Sequence, residues 1–319
     1  AMRGQMISAS AAASFLERSD KFVILTHASP DGDTLGSAYA LADALCALNK
    51  RVFVVCPDKI PEKFGYLIKE YEAFEPETVV AVDIADEKLL GSLYDRYSGR
   101  AALCIDHHSS NTKYAEMLYL EADAAAACEC IYNVINELGT KITPYMASCL
   151  YTGIATDTGC FKFSNTTPRS HRYAAELIEK GADYGEINRV MFEVKSRGRI
   201  AMERKVLENI EFYYGGRCAV ITVTRDMIKE TGCPLGDLDG VTAMSRQIEG
   251  VQIGVTIKEK PDGKYKVSLR TFEPYNAADI CAVFGGGGHI RAAGFNAKGT
   301  VYEIVNRIGE MIEQQYAQE

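Results

Sequence analysis

Short, wholly apolar runs alternate with longer stretches of helical periodicity through the first half of the chain. Phe22–Leu25, Val52–Cys56, Val79–Val82 and Ala101–Ile105 lack a polar alternation, which predicts strands covered on both faces, as in a parallel sheet. Between the first two, Leu35–Leu48 repeats Ala and Leu at helical spacing. Further helices are expected over Ala124–Leu138, Tyr145–Ala155 and Ser170–Lys180, with Gly181 as a helix stop. Strands alternating with helices in this way predict an α/β fold, a parallel sheet with helices on both faces.

Residues Tyr184–Tyr213 mix charge with helical spacing and read as a long helical connection. From Cys218 the pattern restarts. A strand is expected at Cys218–Thr224, a helix at Val241–Glu249, and a hairpin of Val251–Lys258 and Lys264–Thr271 across Pro261-Asp262-Gly263. The glycine run Gly285–Gly288 precedes a last helix from Val301 to about Gln314. The expected organisation is a sheet domain over 1–185, a helical linker over 186–213 and a smaller α/β domain over 214–319. A length of 319 residues suits two cores better than one.

Composition narrows the class. Hydrophobic residues at 47% and charged residues at 24% are ordinary for a folded globular chain. No apolar run approaches the ~20 residues of a membrane-spanning helix, and Ser8–Leu16 is interrupted by serines before it leads into charge, unlike a signal peptide. The expectation is a cytoplasmic protein with no membrane partner. Ten cysteines lie in apolar segments such as Ala44–Ala47 and Ala102–Ile105, with no C-x-x-C. They read as reduced, buried thiols, neither a disulfide scaffold nor zinc ligands. The net charge of −8, without any run of Lys or Arg, argues against a grip on long nucleic acid, whose binding rests on phosphate neutralisation. Small anions held by metal ions and a few placed arginines remain.

The acids and imidazoles sit at informative places. His27, Asp31 and Asp33 follow the strand Phe22–Leu25, Asp83 ends Val79–Val82, and Asp106-His107-His108 ends Ala101–Ile105. Ligands of an open parallel sheet bind outside the carboxyl ends of its strands. Asp157, in Thr156-Asp157-Thr158-Gly159, follows the helix Tyr145–Ala155. Taken singly, each has an ordinary explanation: Asp33 as a helix cap, Asp83 and Asp106 as turn residues. Gathered together, the carboxylates would repel one another unless a cation neutralised them. Oxygen and imidazole donors without thiolate favour Mn²⁺ or Mg²⁺, with Co²⁺ a substitute, and the inventory suffices for two ions. Gly153–Thr158 lacks the serine of a nucleophile elbow.

His27-Ala28-Ser29-Pro30-Asp31-Gly32-Asp33, Asp83, Asp106-His107-His108 and Asp157 resemble, in order, the four motifs of the DHH phosphoesterases. Gly285-Gly286-Gly287-Gly288-His289, with Ala292-Ala293-Gly294, resembles the signature of the DHH-associated C-terminal domain. Within the family the chain is most similar to the NrnA-type group, which joins oligoribonuclease activity on nanoRNA to phosphatase activity on 3′-phosphoadenosine 5′-phosphate. The resemblance implies two Mn²⁺ ions. His27, Asp31 and Asp83 would hold one; Asp33, Asp83, His107 and Asp157 would hold the other, with Asp83 bridging. Asp106 would orient an imidazole, and His108 would face the scissile phosphate, stabilising charge or assisting proton transfer. Ser268 and Arg270, on one face of their strand, and the loop of Gly286, Gly287, Gly288 and His289 would bind substrate.

The implied partners are short RNA and small nucleotides, bound in a cleft between the domains that limits their length; a homodimer is compatible with the sequence. Arg246 on its helix reads as a solvated residue, His171 as a surface residue and Cys160 as packing. A dedicated linear-dinucleotide hydrolase would share every motif. A single-strand exonuclease of the RecJ type shares the catalytic half, the pyrophosphatase branch uses a different C-terminal domain, and a non-catalytic nucleotide-binding regulator would be expected to lack a ligand.

Overall fold

The computed structural model describes residues 3–316, apart from the side chains of Asp239, His289 and residues 314–316. The chain divides into two compact units, 1–194 and 195–319.

The first unit runs β1 (Gln5–Met6), α1 (Ala9–Arg18), β2 (Phe22–Leu25), α2 (Gly32–Ala47), β3 (Val52–Val55), β4 (Thr78–Val82), α3 (Tyr94–Tyr97), β5 (Leu103–Asp106), β6 (Met117–Leu120), α4 (Ala127–Glu137), α5 (Pro144–Asp157), α6 (Pro168–Glu179) and α7 (Tyr184–Asn188). Its six strands lie in the order β1-β6-β5-β4-β2-β3, and every pairing is parallel. From β2 the chain goes to β3 on one side and then to β4 on the other, so the strand order reverses at β2. That reversal opens a crevice at the carboxyl ends of β2 and β4.

The apolar runs explain this sheet. Side chains of β2 alternate between two cores: Phe22 and Ile24 join α1, α2, α4 and α5 on one face, while Val23 and Leu25 join Phe53, Leu90 and Tyr97 on the other. The first face is covered by long helices and the second by short turns and α3. Caps set the helix starts: Asp31 for α2, Thr143 with Pro144 for α5, and a Thr167–Ser170 capping box for α6. The cap of α2 is therefore Asp31, and Asp33 lies inside its first turn. All ten cysteines are unpaired, six of them plus Cys233 within buried positions.

The second unit runs α8 (Arg197–Glu208), β7 (Glu211–Tyr213), β8 (Cys218–Val223), α9 (Arg225–Thr231), α10 (Leu238–Thr242), β9 (Ile253–Glu259), β10 (Tyr265–Thr271), α11 (Ala277–Ala282), β11 (Gly287–His289), β12 (Ala292–Ala297) and α12 (Val301–Tyr316). Its mixed sheet has the order β11-β12-β10-β9-β8-β7, with only β8 and β9 parallel. α11 and α12 cover one face, and α8 with α10 contributes to the core on the other.

Two expectations change here. The connection 184–213 is not one helix: a π turn at Arg189–Glu193 follows α7, and Ser196 then caps α8. Met202 and Val206 of α8 are buried against Ile221 and Val223, so this helix is part of the second core. The helix expected over Val241–Glu249 is shorter. α10 ends at Thr242 and a 3₁₀ turn over Ala243–Arg246 follows, because Thr256 of β9 donates its hydroxyl to the Thr242 carbonyl at 3.0 Å and draws the chain onto the sheet. The short strands β1, β6, β7, β11 and β12 were not anticipated. No helix among the described residues is long and apolar enough to cross a membrane.

Candidate metal centre

Three strand ends and one helix end bring the polar residues of the first unit together. His27 follows β2, and Asp31 caps α2 by accepting from the N–H groups of Asp33 at 3.0 Å and Thr34 at 3.1 Å. Asp83 leaves β4 with φ of 58°, a left-handed conformation that a non-glycine residue adopts at a cost and that concentrates at functional sites. Asp106 is the last residue of β5, and Asp157 is the last residue of α5.

Two donor sets share no residue: His27, Asp31 and Asp83 each offer one atom within 4.8 Å of the others, and so do Asp33, His107 and Asp157; a third such group, Asp83, His107 and His108, joins them. His27 Nε2 lies 3.7 Å from Asp31 Oδ1 and 3.5 Å from Asp83 Oδ2. His107 Nε2 lies 3.7 Å from Asp33 Oδ2, 3.6 Å from Asp83 Oδ1 and 3.4 Å from Asp157 Oδ2. Thus the two oxygens of Asp83 address different sets. These separations exceed hydrogen-bond length but match donors placed about 2.0–2.2 Å from a common divalent ion.

The ring orientations fit the same reading. His27 Nδ1 lies 2.8 Å from the Ala28 carbonyl and His107 Nδ1 lies 3.1 Å from the Ala124 carbonyl. A carbonyl only accepts, so each Nδ1 carries a proton, and Nε2 is the ring atom turned to the cluster. Asp83 Oδ1 and His107 Nε2 are buried without a hydrogen-bond partner among the described residues. Orphaned polar atoms of this kind are costly, and a cation would satisfy both. The residues fit a divalent metal.

Asp33 is held from behind. Its carboxylate accepts from the N–H groups of Ala127 at 2.6 Å and Cys128 at 2.8 Å, the free donors at the start of α4. Close packing allows this, for a Cβ on Gly153 would lie 2.2 Å from Cys128 Sγ and 2.7 Å from Asp33 Oδ1. Burial raises the pKa of Asp33 despite the opposing His107, and it raises Asp83 further, with the charge of Asp33 adding to the effect. Burial, then Asp33, Asp83 and Asp31, push Asp157 up to about 10. Burial opposes charge on His27 too, but the Asp31 and Asp83 carboxylates outweigh it and raise its pKa to about 11. Divalent ions are the natural counterpart of such a set, and the absence of thiolate suits Mg²⁺ or Mn²⁺.

Asp106 stands outside both sets. Fully buried, it accepts from the backbone N–H groups of His107 at 2.8 Å and His108 at 3.3 Å, from His108 Nδ1 at 2.8 Å and from Asn111 Nδ2 at 2.6 Å. The hydrogen bond that His108 donates to Asp106 raises the His108 pKa to about 9 against a smaller burial effect. His108 keeps a half-exposed ring beside Asp83, with Nδ1 3.5 Å from Asp83 Oδ1. Two amides escaped the sequence reading. Asn111 anchors Asp106, and Asn165 Nδ2 joins the Ala125 carbonyl at 3.2 Å to the Asp157 carbonyl at 3.1 Å. The one signal for Asn111 is a polar amide three residues past the paired histidines; Asn165 has none. Cys160 adopts φ of 57° beside the cluster, and exposed His171 stacks on Phe161 with ring centroids 4.9 Å apart.

In the second unit, Ser268 and Arg270 share one face of β10 with Lys266. Together with Thr242, Ala243, Arg246, Thr256 and Lys258 they line a cavity of about 390 Å³. Among the described residues, its lining has four cationic side chains and no carboxylate. Arg246 is exposed, as expected, and also lines this basic cavity. Residues 195–319 carry 17 Lys and Arg against 16 Asp and Glu, so the net negative charge of the chain resides in the first unit. The glycine run forms the edge strand β11. Gly287 pairs with Gly294 and Gly288 with Ala293, and Gly294 in turn pairs with Ser268. Gly288 has φ of 149°, and a Cβ there would lie 2.5 Å from the Ala292 carbonyl; Gly286 packs against β12. The His289 side chain lies outside the described residues.

Residues 21–154 match the DHH family N-terminal domain, and residues 215–318 match the DHHA1 domain. A bifunctional oligoribonuclease and PAP phosphatase NrnA from Thermus thermophilus is 33% identical over 285 residues, covering 86% of this chain and 84% of that protein. A crystal structure of an exopolyphosphatase-related protein from Bacteroides fragilis superposes with a TM-score of 0.83 at 25% identity, covering 96% and 95% of the two chains. RecJ in complex with Mn²⁺ from Thermus thermophilus shares the fold, with a TM-score of 0.53 at 16% identity over 98% of this chain and 55% of that one.

Proposed function

Because the chain belongs to the DHH family and carries a DHHA1 domain, we propose that it is a metal-dependent phosphoesterase. Its substrates are very short oligoribonucleotides, degraded to mononucleotides, and 3′-phosphoadenosine 5′-phosphate, dephosphorylated to AMP. The relative that is a bifunctional oligoribonuclease and PAP phosphatase supports this substrate class. The observation that carries the reading is the single carboxylate, Asp83, whose two oxygens address two donor sets.

In this reading His27, Asp31 and Asp83 hold one ion, and Asp33, Asp83, His107 and Asp157 hold the second. Two Mn²⁺ ions, with Mg²⁺ or Co²⁺ as substitutes, supply Lewis acidity toward water and phosphate when bound. The protein's own residues do the rest. The carbonyls of Ala28 and Ala124 fix the rings of His27 and His107, and the start of α4 fixes Asp33. Asp106 fixes the Nδ1 side of His108, which leaves Nε2 to stabilise charge on the phosphate or to hand a proton to the departing oxygen. Ser268 and Arg270 hold a phosphate of the substrate, with the backbone of Gly286, Gly287 and Gly288 and His289 beside them.

The test is hydrolysis, in Mn²⁺, of an RNA ladder from dimer to long oligomer, with 3′-phosphoadenosine 5′-phosphate in parallel. Rapid loss of the shortest RNAs together with phosphate release supports the proposal. Activity on dimers alone would identify a linear-dinucleotide hydrolase instead, and degradation of the longest RNA would overturn the substrate class.

A further inference from the structure

Alternation along β10 does not stop at Arg270. The next position on the face of Lys266, Ser268 and Arg270 is Phe272, whose side chain is 50% exposed. It lies in a second cavity, of about 360 Å³, lined by Arg246, Arg270, Thr271, Phe272, Glu273 and Arg291. Arg246 and Arg270 line both this cavity and the basic one, so the two adjoin.

The shelf is firmly built. Phe272 N–H donates to the Gln252 carbonyl at 2.9 Å, and the buried Thr271 donates its hydroxyl to the Ile290 carbonyl at 3.3 Å. Arg291 is tied to the Tyr275 carbonyl at 2.9 Å and to Glu273 at 2.8 Å. A phenyl ring left half in water on this frame contributes little to the core. Its neighbours are guanidinium groups, which hold phosphate and also stack on flat rings. A ligand carrying both a planar aromatic group and a phosphate matches this combination, and a cavity of this size falls in the range of small-ligand sites.

We infer that Phe272 is the base-stacking platform of the second unit, taking the nucleobase of the nucleoside monophosphate unit whose phosphate Arg270 and Arg246 hold. This rests on the reading of Ser268 and Arg270 as phosphate-binding residues. The stack acts on bases generally, since every base offers a π face, and so it supplies affinity without choosing a sequence. Recognition of a nucleotide is thereby divided along one strand, with the anion at 268 and 270 and the ring at 272.

Calorimetric titration of the full chain with AMP and with ribose 5-phosphate tests this without relying on turnover. AMP is expected to bind the wild-type protein more tightly than ribose 5-phosphate does. Phe272→Ala is expected to weaken AMP about tenfold, the effect of one lost base–aromatic stack, and to leave ribose 5-phosphate within about twofold. Phe272→Trp is expected to restore AMP binding. Equal weakening of both ligands, or no change in either, would overturn the inference, as would wild-type protein that does not distinguish them. Turnover of the RNA dimer is measured alongside. Its absence would remove the catalytic reading while the pair of binding constants still decides the stacking.

Discussion

Replacing Asp157 by Asn separates what the acidic cluster costs the fold from what it does for metal binding. The ligand atoms of Asp33, His107 and Asp157 lie within 4.8 Å of one another. Two ionised carboxylates at that distance repel by about 3.5 kcal/mol at an effective dielectric constant of about 20. The metal-free protein relieves part of this by protonation, so the gain from Asp157→Asn is expected at about 1–2 kcal/mol. For a domain of this size that raises the melting temperature by about 2–8 °C in EDTA. The sign with pH follows from the carboxyl being held up to about 10 in the folded protein. The folded state binds the extra proton, so metal-free wild-type protein loses stability as pH rises from about 3.9 toward that value, and the advantage of the variant widens. Saturating Mn²⁺ reverses the order, because a hundredfold excess over Kd adds about 2.7 kcal/mol to whichever protein binds it, and the variant binds it poorly. Turnover is expected to fall by more than about a hundredfold. Thermal melts of both proteins with EDTA and with Mn²⁺ provide the measurement. A variant that melts below wild type in EDTA would show that the cluster is not repulsive, and equal stabilisation of both by Mn²⁺ would show that Asp157 is not a ligand.

Two further substitutions probe the supports of the cluster. Asp106→Asn sets an amide against the Nδ2 of Asn111 and removes the charge that holds His108; it is expected to cost about 1–3 kcal/mol in urea unfolding and to lower kcat more than it raises KM for an RNA dimer. Arg169→Ala leaves the fully buried Glu129 without the guanidinium 2.9 Å away, and urea unfolding is expected to record a loss of about 3 kcal/mol, with the metal-dependent rise in melting temperature preserved.

Much of the first unit was legible because its strands are buried on both faces and therefore read as unbroken apolar runs. For the same reason the residues that end those runs stood out, and His27, Asp83 and the Asp106–His108 segment do meet in space. The division of labour between Asp31 and Asp33 was hidden. Either aspartate could cap a helix, and only the fold shows that Asp31 caps α2 while Asp33 turns to the start of α4. Asn111 and Asn165 were silent since a lone amide in a loop has no period. The strands β1, β7 and β11 are two or three residues long and edge their sheets, so packing on one side and not local sequence makes them strands. Phe272 could be singled out only once the register of β10 placed it beside three arginines.

The left-handed turn at Asp83 narrows what evolution can do with this position. Asp and Asn enter that backbone region at lower cost than other residues with side chains, glycine apart. Descendants that abandon chemistry while keeping the fold thus have a short list of exits here, Asn or Gly, whereas Ala or Val would bend the strand end as well as silence it. A paralogue that keeps Asp at this position and loses other ligands would be preserving a shape, and a paralogue with Asn would be advertising retirement with its architecture intact.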